Sequence, residues 1–487
     1  VGDNPPTVKI GVSDTELNKS EWIDIDLEGG YIPRIYWTAK PNTLAILWMN
    51  RIQDHMRIWF VDVLSGEKRV VLEEKGEGWI DIYDFFAGVQ DLTYFPSDIE
   101  EFFWVSERNG WAHIYRYNYE GKLLNQVTDG KWEVKSVESI DTKKRSILFV
   151  STEVSPIEQN LFSVSFDGKQ KTRLTSTPGN HNVNVSDNGK YYIDTWSDVN
   201  TPVQSFLKGL KGENLEQLVK SDAVLGYLEG HIYAPREIFS FETSDGQKLD
   251  GYLIKPVGFD PGKEYPLVLD IYGGPGSQGV FNSFGTNGWH QWLAQEGFVV
   301  ASVNNRGNGG YGSKFEKVVH RQLGKMESHD FVETAKYLGT KEWIDSERMA
   351  IRGHSYGGFT SGYTMLTHPG VFKASIVAAP VTDHLFYDCI LTERYMGLKD
   401  DNIDGYRNSA VVTHAANLDG SLLLAHSLMD ENVHPQHTFQ LVNALNMAGK
   451  DFDLKIYPPG AHGLATDMTT YLLLMQQYTD FLNEHLK

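Results

Sequence analysis

The sequence predicts two folds in tandem: an all-β repeat over residues 1–232, then a mainly parallel α/β sheet over residues 233–487. Three observations predict them. Short aromatic and β-branched runs separated by polar turns fill the first part. Near-continuous apolar runs alternating with helix-like segments fill the second. Between one such run and one such segment lies Gly353-His354-Ser355-Tyr356-Gly357, a Gly-x-Ser-x-Gly motif.

The chain has 487 residues and a net charge of −20, with 41% hydrophobic residues. That length suits two domains with large cores. The acidic balance excludes nucleic acid as a partner, because phosphate binding needs a positive surface. Cys389 is the single cysteine, so no intramolecular disulfide can form. No apolar run reaches the length of a membrane span. Val1-Gly2-Asp3-Asn4-Pro5-Pro6 has neither an initiator methionine nor the features of a signal peptide, and reads as the start of a processed or trimmed form.

From about Ile10 to Leu225 the pattern is strand, turn, strand. Ile35-Tyr36-Trp37-Thr38, Leu44 to Trp48, Arg57 to Val61 and Phe102 to Ser106 are examples. A weak repeat overlies them. Gly66, Gly121, Gly168 and Gly212 each centre a turn between two strand-like runs. They recur at roughly 45–55 residues, about the length of a four-stranded propeller blade. This gives four units and a partial one at the start, with further blades expected upstream of Val1. A β-sandwich with a chance repeat is the alternative. His55, His113 and His181 are too scattered for a metal site and read as surface or packing residues.

The character changes near His231. Arg236 to Pro256 reads as a hairpin turning at Asp245-Gly246. Apolar runs follow at Leu267–Tyr272, Phe298–Val303, Met349–Ile351, Ala374–Ala379, Ser421–His426 and Phe452–Tyr457. Helix-like stretches at Phe331–Leu338, Pro435–Ala448 and Met468–Leu486 lie between or after them. Alternation of this kind implies helices on both faces of the sheet.

A strand–turn–helix setting makes the motif a nucleophile elbow presenting Ser355. A serine hydroxyl is a weak nucleophile until an imidazole takes its proton, and a carboxylate must orient that imidazole. Asp430 follows the apolar run that ends at His426, and His462 lies in a loop beyond the last strand. The order Ser355, Asp430, His462 is that of α/β-hydrolases. Glu431 is a rival acid, and His426 and His434 are rival bases. An oxyanion needs donors. The Tyr356 backbone N–H is one candidate. The second is the glycine-rich loop Asp270 to Gly276, either through its backbone or through the Tyr272 hydroxyl.

With these residues in hand, the chain resembles the dipeptidyl peptidase IV branch of the prolyl oligopeptidase family. Gly-x-Ser-Tyr-Gly-Gly at Ser355, Asp-x-Asn-Val-His at Asp430, His-Gly at His462 and Tyr-x-Gly-Pro at Tyr272 carry the resemblance. Thr392 to Leu398, Asn4 to Lys9 and Tyr31 to Arg34 extend it over nearly the whole chain. The resemblance implies a propeller in front of an α/β-hydrolase domain. It implies a proline pocket at Tyr356, Val381, Tyr387 and Val433, with Asn432 holding a substrate carbonyl. His384 and Leu391 stand where the family has aromatic residues, and His354 replaces a tryptophan. The cage is then looser, and alanine is accepted beside proline. The family's amine-binding glutamates fall upstream of Val1. Glu100-Glu101 lies outside their context. The implied activity is release of Xaa-Pro or Xaa-Ala dipeptides from peptides with a free N-terminus, through an acyl-enzyme on Ser355. No cofactor or metal is implied. A homodimer and a periplasmic or extracellular setting are. Two rivals stand beside this reading: an endopeptidase or acyl-aminoacyl peptidase of the same family, and a catalytically silent binding module.

Overall fold

The structure is a computed structural model that describes residues 1–14, 16, 19–25, 29–81 and 92–487. Strands Gly11–Asp14 and Lys19–Trp22 pair as a two-stranded ribbon. Four antiparallel sheets of four strands follow, spanning 31–75, 93–126, 134–173 and 180–219. Each is a simple meander, as a propeller blade is. The inner strand Thr43–Met49 is buried throughout, whereas its neighbour His55–Asp62 alternates, turning Met56, Ile58 and Phe60 inward. Phe60, Phe102, Trp104, Phe149 and Phe162 belong to one apolar layer that runs through the first three sheets. The four repeated glycines all join the third strand of a sheet to the fourth, with φ between +74° and +83°. A left-handed residue is needed at that turn, and glycine takes it without a steric penalty.

The strand pattern expected to continue to Leu225 stops earlier. Asp222–Glu229 is a helix, α1, with no buried residue. Val224, Leu225 and Tyr227 are exposed on it, so no core-facing stripe marks it in the sequence. Of the histidines read as packing residues, His113 and His181 are buried and bonded to Thr128 and Asp194, and His55 meets Glu73. Glu101 is taken up by Arg116.

The second half is built on one eight-stranded sheet. Its strands are β1 (Arg236–Glu242), β2 (Lys248–Ile254), β3 (Tyr265–Ile271), β4 (Val299–Val303), β5 (Ile344–His354), β6 (Ala374–Ala378), β7 (Ser421–Ser427) and β8 (Asp453–Tyr457). Their order is β1-β2-β4-β3-β5-β6-β7-β8. The first two are antiparallel to their neighbours, and the rest are parallel. Side chains alternate between two apolar layers. Leu267, Leu269 and Ile351 face one, and Val268, Ala350 and Val300 face the other. Covering helices include α2 (Gly288–Gln295), α3 (Lys325–Gly339), α4 (Tyr356–Thr367), α5 (Cys389–Met396), α6 (Gln436–Met447) and α7 (Met468–Leu486). We place the division between the two folds at 232–233, in the irregular stretch between α1 and β1.

Register fixes where the site forms. Asp270 pairs with Arg352 and Ile271 with Gly353 across β3 and β5. Tyr272 and Ser355 therefore leave adjacent strand ends. The cross-strand pair is also ionic. Arg352 Nη1 lies 2.9 Å from Asp270 Oδ1, and His290 of α2 meets Oδ2 at 2.7 Å. In open parallel sheets, sites form at these carboxyl ends.

Candidate active site

Ser355 sits between β5 and α4 with φ +62°, a region a side chain enters only under constraint. The constraint comes from close backbone approach. A Cβ on Gly353 would lie 2.1 Å from Gly357 O, and one on Gly357 would lie 2.4 Å from Ile271 O. The Ser355 N–H donates to Ala378 O at the end of β6 (2.9 Å). The serine is thus fixed by three strands.

His462 follows β8 through a Pro-Pro-Gly loop and reaches back across the sheet. Its Nε2 is 2.9 Å from Ser355 Oγ, and its Nδ1 is 2.8 Å from Asp430 Oδ2. Asp430 lies in the turn after β7. Its Oδ1 accepts the N–H groups of Asn432 (3.0 Å) and Val433 (2.8 Å). Burial works to raise the Asp430 carboxyl, but hydrogen bonds from His426, His462 and Val433 outweigh it and hold it well below the ordinary value. An anionic Asp430 keeps the proton on Nδ1 of His462, which leaves Nε2 to accept from the serine. The rivals separate cleanly. Glu431 and His434 are exposed. His426 is buried and touches the acid, with Nε2 3.3 Å from Asp430 Oδ2, but it faces Thr438 and Val433 O rather than Ser355.

The Tyr356 N–H lies in the first turn of α4, where helix geometry leaves backbone donors unused. Tyr272 lines the same cavity as Ser355. Burial pushes its phenol up to about 12, partly offset by a hydrogen bond with Ser355. It is therefore a neutral donor at any working pH. Thr360 Oγ1 donates to Tyr272 O (3.1 Å) and pins the loop.

Beside the serine is a cavity of about 290 Å³. Tyr356, Val381, His384, Tyr387, Leu391 and Asn432 line it. Val433 is not among the lining residues. It is fully buried, and its N–H serves Asp430. Tyr387 donates its hydroxyl to Asn432 Oδ1 (2.7 Å), which leaves Nδ2 as the donor end of that amide. His384 is 1% exposed, and neither ring nitrogen has a hydrogen-bond partner. Burial, with His437 adding to it, drives its imidazole down to about 3. The ring is neutral and stands edge-on to Phe359, with centroids 4.6 Å apart. It serves as a small flat wall, not as a charge.

One neighbour, Glu327, escaped the sequence reading, and two that it named, His426 and His354, take up other contacts. Glu327 of α3 accepts the Tyr356 hydroxyl at 2.9 Å, and burial pushes it up to about 7. Its signal was a glutamate at the same helical face as Phe331, Ala335 and Leu338. His426 was named as a base, but its contact is with the acid. His354 packs its ring 5.0 Å from that of His462, and burial drives it down to about 3.

An open parallel sheet with a serine elbow and a hydrogen-bonded Ser355–His462–Asp430 chain defines an α/β-hydrolase. Comparison with known proteins narrows this. The prolyl oligopeptidase family matches residues 285–487, and the dipeptidyl peptidase IV (DPP IV) N-terminal region matches residues 1–203. Dipeptidyl peptidase 4 of Trichophyton rubrum and that of Trichophyton equinum are each 33% identical over 457 residues, covering 90% of this chain and 58% of their own. The crystal structure of Porphyromonas gingivalis dipeptidyl peptidase 4 superposes with a TM-score of 0.92 at 32% identity, over 100% of this chain and 68% of that one. The chain belongs to the prolyl oligopeptidase family, in its dipeptidyl peptidase IV-like branch. It spans less than three-fifths of the length of these two curated relatives.

Proposed function

We propose that the protein is a serine peptidase that removes Xaa-Pro or Xaa-Ala dipeptides from the N-terminus of peptides. The observation that carries this is the Asp430–His462–Ser355 chain opening onto a cavity of about 290 Å³ with mainly apolar and aromatic walls. In the proposed reaction, Ser355 Oγ attacks the carbonyl after the second residue while His462 Nε2 takes its proton. The Tyr356 N–H and the Tyr272 hydroxyl receive the oxyanion. His462 returns the proton to the leaving amine, and water then releases the dipeptide from the acyl-enzyme. In this reading Asn432 Nδ2 holds the carbonyl of the first residue. Among the described residues, no helix is long and apolar enough to cross a membrane. The periplasmic or extracellular setting rests on the resemblance. A homodimer through the hydrolase half is supported by Met468, Leu472 and Leu473, which are exposed on α7.

The test compares Gly-Pro-, Ala-Ala- and N-acetyl-Gly-Pro-nitroanilide. Free-amine substrates are expected to win by about a hundredfold, worth roughly 2.7 kcal/mol of transition-state binding. Equal cleavage of the blocked substrate would replace this reading with an endopeptidase or acyl-aminoacyl peptidase.

A further inference from the structure

The all-β half holds none of the reacting groups, yet one of its loops grips the wall of the cavity. Asn50–Asp54 connects strands Thr43–Met49 and His55–Asp62. The loop is tied down internally. Asn50 Oδ1 accepts the N–H groups of Asp54 (3.1 Å) and His55 (3.0 Å), and Gln53 O accepts the Ile80 N–H (2.7 Å). Gln53 is fully buried with φ +61°. A residue other than glycine keeps such a conformation only where its surroundings over-determine it. Both ends of its amide are used on the hydrolase half. Nε2 donates to Ile390 O (2.5 Å), and Oε1 accepts from Arg394 Nε (2.6 Å). Two residues earlier, Arg51 takes Glu393 in a two-point grip, Nε to Oε2 at 2.5 Å and Nη2 to Oε1 at 2.7 Å. The Glu393 side chain is wholly buried, while the Arg51 side chain stays 22% exposed.

Ile390, Glu393 and Arg394 all lie on α5. The first turn of that helix carries Leu391, and Tyr387 lies just before its N-cap, Asp388. Both line the cavity. The far end of α5 is held from within the hydrolase half. The Arg321 N–H donates to Tyr395 O (2.7 Å), and Asn402 Nδ2 donates to Met396 O (2.8 Å).

We propose that Arg51 and Gln53 are positioning residues for the specificity pocket, setting where the first turn of α5 stands against the substrate's second side chain. In its choice of substrates, this rests on the dipeptidyl reading. Ser355, Asp430 and His462 leave β5, β7 and β8, none of which the loop grips. Loosening it therefore shifts KM and the preference at the second residue, while the reactivity of the nucleophile stays.

The test is Gln53→Gly. Glycine adopts the same φ without strain, so the variant deletes the amide and keeps the turn. KM for Gly-Pro- and Ala-Ala-nitroanilide is expected to rise about tenfold, with a changed Pro-to-Ala ratio. The rate at which a fluorophosphonate labels Ser355 stays within about twofold. Gln53→Glu keeps the acceptor for Arg394 but sets a carboxylate oxygen against Ile390 O, so KM is expected to rise at least as far as in Gln53→Gly. Hydrogen exchange of the amides of 389–394 speeds up in Gln53→Gly, a readout that needs no substrate. A folded Gln53→Gly with unchanged KM, ratio and exchange overturns the proposal. So does labelling that falls in step with turnover. If the wild type fails to cut the dipeptidyl substrates, that earlier reading falls. Exchange, labelling and the same ratios on whatever substrates it does cut then decide this one.

Discussion

In the four-stranded sheets, Gly66, Gly121, Gly168 and Gly212 occupy the same turn and share a φ between +74° and +83°. At the elbow, Gly353, Gly357 and Gly358 lie outside the positive-φ set, and what matters is the atom they lack. A Cβ on Gly353, Gly357 or Gly358 would meet a backbone oxygen at 2.1, 2.4 or 2.3 Å. At Gly66 it would meet nothing within 4 Å, whereas at Gly212, Gly168 and Gly121 it would meet a backbone oxygen at 3.1, 2.7 and 2.4 Å. The first set answers to backbone conformation throughout, with crowding added where a turn lies against the preceding sheet; the second answers to crowding alone. A conformational need recurs wherever the architecture repeats, so it appears as a period in the sequence. At the elbow three crowded glycines fall within six residues, where strands converge, so the need appears as a cluster beside the chemistry.

Exchanging glycines between these roles should break the contrast if it is wrong. Gly353→Ala is expected to abolish turnover and to cost about 3 kcal/mol or more in denaturant titration, because Gly357 must move. Tyr272→Phe removes one proposed oxyanion donor without changing shape. kcat should fall by about 10²–10³ with KM nearly unchanged. His384→Phe tests the neutral wall. The unfolded imidazole protonates near 6.5 and the folded one only near 3, so acid favours unfolding of the wild type across that window. Relative to the wild type, the variant should gain about 1.4 kcal/mol per pH unit as pH falls from about 6.5 to 4. Gly66→Ala is the smallest change. It should cost about 1 kcal/mol and leave activity intact, with Gly66→Asn milder still.

The same contrast explains what the sequence disclosed. Ser355, Asp430 and His462 were legible because each follows an apolar strand in a fixed order, and the sheet puts those strand ends together. The four sheets were legible through their repeated glycine turn. Helix α1 was not, because its apolar residues are exposed and leave no buried stripe. Glu327 was hidden because a single carboxylate on a core face cannot announce the phenol it meets. The pairs Arg51–Glu393 and Gln53–Arg394 join residues more than 300 positions apart, and no local pattern carries contacts of that range. The His384 substitution was visible, but its meaning was not. Only the absence of any partner for its ring nitrogens makes it a wall.

The most direct test of the central claim, that His462 and Asp430 activate Ser355, is fluorophosphonate labelling followed by peptide mapping. A single adduct on Ser355 is expected in the wild type, none in Ser355→Ala, and labelling slowed by about 10³-fold or more in His462→Ala. An adduct on another residue, or a folded wild type that stays unlabelled, would contradict it.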